Sequence, residues 1–95
     1  MDIYIDDKTK EYIRSQSQDS SVHVLMMKVG GGWCATYQPS VKVGRPYDEK
    51  NFKLYKVDDI NVYLASGIIV RNDELKISLS KIFWIKSLNV DGISL

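Results

Sequence analysis

Val22-His23-Val24-Leu25-Met26-Met27-Lys28-Val29, followed directly by Gly30-Gly31-Gly32-Trp33-Cys34, is the stretch on which the fold turns. Val22, Val24 and Met26 share one parity, and Leu25, Met27 and Val29 share the other. A strand with both faces apolar reads as a central strand covered on both sides. The β-branched residues and the glycine stop favour strand over buried helix. Three successive glycines support neither element, because each loses the most backbone entropy and packs no side chain. They fit a chain reversal. Beyond them Trp33, Ala35 and Tyr37 alternate with Cys34, Thr36 and Gln38, which predicts a second strand starting at Trp33 with Cys34 on its polar face. Pro39 then breaks the ladder or marks an edge, since it donates nothing to a ladder.

Outward from this centre the pattern stays mostly β. Upstream, Ile3 and Ile5 alternate as a short strand, and Asp6 or Asp7 caps a helix over Lys8–Gln16 with a narrow apolar stripe at Tyr12 and Ile13. Gln18-Asp19-Ser20-Ser21 is a turn. Downstream, Val41 and Val43 resume the pairing, and Tyr47–Asn51 is a polar loop. Phe52–Val57 and Ile60–Leu64 form a hairpin about Asp58-Asp59. Ile68–Val70 fits either strand or helical turn. Leu75, Ile77 and Leu79 give the cleanest alternation in the chain. Lys81–Ile85 is bulky and apolar, with no decided local state. Leu88 and Val90 alternate again, and Gly92 shifts the parity to Ile93 and Leu95 as a bulge or tight bend. These readings give an α+β domain over residues 1–95, with one helix near the N-terminus and about seven short strands in a mixed or antiparallel sheet.

Composition narrows the function classes. The 95 residues carry 13 basic and 12 acidic side chains, for a net charge of +1. With the signs interspersed there is no basic stripe for nucleic acid. The acidic N-terminus shows no secretory leader, and no apolar run reaches the ~20 residues of a membrane helix. The expected setting is cytoplasmic, with neither nucleic acid nor membrane as partner. One cysteine makes no internal disulfide.

Candidate chemistry centres on Cys34 and its loop, Gly30, Gly31, Gly32 and Trp33. Cys34 reads as a metal or redox thiol, or as a small half-buried residue with no role. A phosphate cradle at the glycines lacks the helix, Lys and Ser/Thr that should follow. Ser78-Leu79-Ser80-Lys81 matches a Ser-x-x-Lys pattern without its companion motifs. Asp58-Asp59 and Asp48-Glu49 fit turns better than paired catalytic carboxylates. His23, the only histidine, sits on an apolar strand face and fits a satisfied core or interface residue. No constellation points to an enzyme. The aromatics Trp33, Tyr37, Tyr63, Phe83 and Trp84 suit either a core or an interface, and Lys81–Ile85 is the candidate contact of a homo-oligomer, such as a dimer.

The lines Val29–Cys34, Pro39–Pro46, Phe52–Val57 with Val62-Tyr63, and Ile77–Lys81 leading to Lys86–Leu88 resemble the HesB/IscA-like domain of iron–sulfur cluster biosynthesis. The closer resemblance is to the small HesB-like family named for a Cys-Cys or Cys-selenocysteine motif. The resemblance implies a HesB-like fold and a role in iron–sulfur, sulfur, selenium or metal handling through Cys34, with a cluster or metal as the implied cofactor. It also implies a second chalcogen residue where this chain has Trp33, and a Cys-x-Cys pair near the C-terminus that this sequence lacks. Such a member is degenerate, and the alternative is a homo-oligomeric structural module with an incidental cysteine.

Overall fold

The computed structural model describes residues 1–94. Leu95, the last apolar residue of the C-terminal alternation, lies outside the described residues. The described residues form nine strands and a single α-helix: β1 (Asp2–Ile5), α1 (Asp7–Gln16), β2 (Ser21–Val29), β3 (Thr36–Val43), β4 (Phe52–Val57), β5 (Ile60–Ala65), β6 (Ile69–Val70), β7 (Glu74–Ile82), β8 (Ile85–Asp91) and β9 (Ile93–Ser94). They form three sheets, ordered β1-β7-β8, β3-β2-β5-β4 and β6-β9. The α+β class holds, but this corrects the expectation of a HesB-like fold with about seven strands in one mixed or antiparallel sheet. Hydrophobic alternation marks strands but not their partners. Here β1 pairs parallel with β7 and β2 parallel with β5, both across long stretches of chain. The two larger sheets lie against each other along both borders, β8 beside β3 and β1 beside β4.

The core lies where these sheets meet the helix. Ile5, Ile13, Val22, Val24, Val62 and Ile77 are among its buried members. Asp6 caps α1, its carboxylate accepting from the Thr9 backbone N–H at 2.8 Å. The buried stripe of α1 is Thr9 and Ile13, one turn apart, with Tyr12 only half-buried. Thr9 is fully buried because its hydroxyl works twice. It donates to Asp6 and accepts from the Leu79 backbone N–H at 2.9 Å, just beyond the point where β1 stops pairing with β7. Two further contacts fasten the helix to the β4–β5 turn. Lys10 pairs with Asp58, and Arg14 holds Asp59 through Nε and Nη2, each at 2.6 Å.

Two hairpins overrun this body. β5 accompanies β2 only over residues 21–24, and β1 accompanies β7 only over 74–77. Residues 25–29 therefore pair with β3 alone, and 78–82 with β8 alone. At ~3.3 Å per residue each hairpin runs about 16 Å past the end of its third strand, with the first part of the β7–β8 hairpin still lying against α1. The apolar parity of Val22–Val29 is thus not that of a strand covered throughout: it is buried over its first half and exposed from Met27 onward. β2 leaves from the C-terminal end of α1, whereas β7 runs along α1 past Thr9 toward Tyr12. The two hairpin tips consequently leave the body on opposite sides.

Candidate functional site

The Gly30–Ala35 loop is the tip of the β2–β3 hairpin, closed by the Val29–Thr36 pair. Strand does not resume at Trp33, as the alternation predicts. Gly32–Cys34 forms a 3-10 turn and β3 starts at Thr36. The glycines explain the difference. Gly30 has φ +86° and Gly32 φ +61°, conformations that release the chain from the pleat before Trp33. A Cβ on Gly30 would lie 3.1 Å from the Cys34 carbonyl oxygen, so the two limbs of the loop approach closely. Inside the turn the Cys34 backbone N–H donates to the Gly31 carbonyl at 3.3 Å. Trp33 is fully exposed, and the free Cys34 is exposed beside it.

The loop presents one thiol and no ligand set. Among the described residues no group of three or more His, Cys, Asp and Glu side chains gathers closely enough to hold a metal ion. Clusters usually take four thiolates. His23 stands six residues before the end of β2, about 20 Å from the tip at strand spacing. Its Nδ1 lies 2.9 Å from the Gly44 carbonyl and its ring meets Phe52 edge-on, so it is a satisfied, half-buried residue. An iron–sulfur cluster or metal held by this chain's own residues does not fit what the tip provides.

The other sequence candidates separate in space. Ser78, Ser80 and Lys81 lie along β7, and Asp58-Asp59 serve as the anchor of α1. Arg14 beside Asp59 holds that carboxyl below the usual range. Of the interface aromatics, Tyr63 joins the buried set, and burial pushes its hydroxyl pKa up. Trp33, Tyr37, Phe83 and Trp84 stay outside. Two clefts, of about 530 and 320 Å³, lie between α1 and the β7–β8 arm and beside Arg71 and Gly92. Neither is lined by a residue of the Gly30–Cys34 loop.

Periodicity alone did not reveal the β7–β8 tip. Ile82, Phe83, Trp84 and Ile85 are 66, 81, 84 and 62% exposed, with Phe83 at φ +57° in the two-residue turn. The available signal was the run of bulky residues between two lysines. A turn with aromatics in both central positions has no Gly or Asn to announce it.

Among the described residues no helix is long and apolar enough to cross a membrane. Comparison with curated proteins and with solved structures found no match to this chain. A model of the CC/Se motif containing family matches residues 1–93. That span carries the glycine loop, Cys34 and both hairpin arms, and the chain belongs to the CC/Se motif containing family.

Proposed function

We propose that this chain is a non-catalytic member of its family that handles sulfur or selenium through Cys34, as an exchange thiol offered to another molecule. The observation that carries the reading is the exposed position of Cys34, on a 3-10 turn at the tip of an arm that overruns the sheet. A thiol so placed meets a partner's chalcogen bond without rearrangement of the body. The step is an exchange: the Cys34 thiolate attacks a sulfur–sulfur or sulfur–selenium bond. A new bond forms to Cys34, and the other half leaves as thiolate or selenolate. The fully exposed Trp33 supplies an aromatic surface next to the reacting atom. The finer relationship to HesB/IscA-like domains belongs to this reading. The order of glycines then cysteine supports it, while the single cysteine of this sequence argues against a cluster scaffold.

The test compares exchange rates. The protein, its Cys34→Ser variant and the unstructured peptide Gly-Gly-Gly-Trp-Cys are each mixed with glutathione disulfide or selenocystine, and adducts are followed by mass. The expected result is one adduct on the protein, none on Cys34→Ser, and a rate above the peptide's. A rate no faster than the peptide's would make the loop irrelevant to the thiol and the cysteine incidental.

A further inference from the structure

The β7–β8 tip is built differently from the Cys34 tip. Four consecutive apolar side chains, Ile82 to Ile85, project from the body, with the Phe83 and Trp84 ring centroids 6.0 Å apart. One rung behind them Lys81 and Lys86 are cross-strand partners, and both are exposed. Like charges directly opposite each other destabilise an isolated hairpin. The arrangement asks for an anion at the base of an apolar knob. Lys86 Nζ also sits 6.0 Å from the Tyr12 ring, and Lys8 lines the same side. The acidic neighbours there are Asp6, whose carboxylate is engaged by Thr9, and Glu11.

From these features we infer that the β7–β8 tip is a docking element for anionic lipid surfaces. The dimensions agree. Phe83 lies two residues beyond the lysine rung, about 7 Å at strand spacing. Interfacial elements bury their apolar side by about 5–10 Å with basic groups at headgroup level, and Trp favours that boundary. A second copy of the chain suits the tip less well. A stable protein interface takes about 800 Å² from each partner, contributed by 20–30 residues. This knob is two residues wide, and Ser87, next along β8, is polar and exposed. The contact is a surface one, and it departs from the expectation of no membrane partner, which rested on the lack of a spanning segment and does not address an interfacial hairpin. Because the hairpins leave on opposite sides, a docked molecule holds Cys34 away from the bilayer.

The experiment uses a Trp33→Phe background, so that Trp84 is the only tryptophan. Protein is mixed with vesicles of phosphatidylcholine alone or of phosphatidylcholine with phosphatidylglycerol. Trp84 emission and co-sedimentation are recorded. Expected are a blue shift and sedimentation with anionic vesicles, both weakened by salt. Each lysine near an anionic surface is worth about 1 kcal/mol, so the Lys81→Gln/Lys86→Gln variant should bind about 30-fold more weakly. Phe83→Ser should also lose binding while its far-UV circular dichroism stays unchanged, as its side chain lies off the body. Absence of any vesicle effect overturns the inference, as does equal binding to neutral vesicles. A blue shift that grows with protein concentration without vesicles also overturns it, and assigns the tip to self-association. None of these outcomes depends on the reactivity of Cys34.

Discussion

At the scale of single residues, backbone conformation does work that side-chain pattern does not advertise. Gly92 has φ +105°, and a Cβ there would stand 2.3 Å from the Glu74 carbonyl oxygen. It lets the chain leave β8 beside β7, so that the Gly92 carbonyl accepts from the Arg71 N–H at 2.6 Å and β9 pairs with β6. The parity shift seen around Asp91-Gly92 is therefore a true bend, forced by close approach to another backbone. Gly92→Ala should destabilise the fold by about 3 kcal/mol, combining left-handed strain with an overpacked contact that backbone does not easily relieve. Gly67→Ala meets open space at φ +91° and should lose only about 1–2 kcal/mol. Urea unfolding of the two variants checks the contrast, and equal losses would mean that the Glu74 contact is not tight. Phe83, by contrast, holds φ +57° with a bulky side chain in the two-residue turn, an uncommon conformation for such a residue.

Elements were legible where their signals are local. The Asp6 cap, the short helix and the β4–β5 hairpin follow from neighbouring residues, and the structure places them within a residue or two of the expected bounds. What holds α1 down was not legible, because Asp58 and Asp59 lie some 45 residues from Lys10 and Arg14 and read only as a turn. The same limit hid both parallel pairings, and it hid the Cys34 turn behind an alternation that resembles strand. These attachments make the helix acid-sensitive. Thr9 lowers the Asp6 pKa by hydrogen bonding, Ser17 does the same for Asp19, and Arg14 for Asp59. A carboxylate held below its unfolded value near 3.9 contributes stability in full above that value, and loses it as pH falls through the folded pKa. The urea midpoint should therefore be flat from about pH 7 to 5 and fall below about pH 4. Asp59→Asn should shallow that fall. An unchanged acid slope in this variant would show that the Arg14 pairing adds nothing to folding.

The whole molecule divides its labour between a packed body and two projecting arms. The body holds the buried side chains contributed by β1, α1, β2, β5, β7 and β9, together with the helix anchors, and it is where removal of atoms should be felt. The arms carry Cys34 with Trp33 at one tip and Phe83 with Trp84 at the other. Their exposed apolar groups make no comparable contacts with the core. Residues on the arms can therefore vary without unfolding the body. Two positions on connected strands test this division. Ile77, in β7, is 1% exposed, so Ile77→Ala leaves a cavity and should cost about 2–5 kcal/mol. Ile85, eight residues later across the hairpin turn, should change stability by no more than about 0.5 kcal/mol when replaced by Ser. Both are read from urea midpoints at constant slope. If Ile85→Ser cost as much as Ile77→Ala, the tip would be packed in solution against something, and the separation of body from arms would fail on that side. If instead the two values part as expected, the energy that folds the chain and the groups it offers to other molecules occupy different residues of one continuous hairpin.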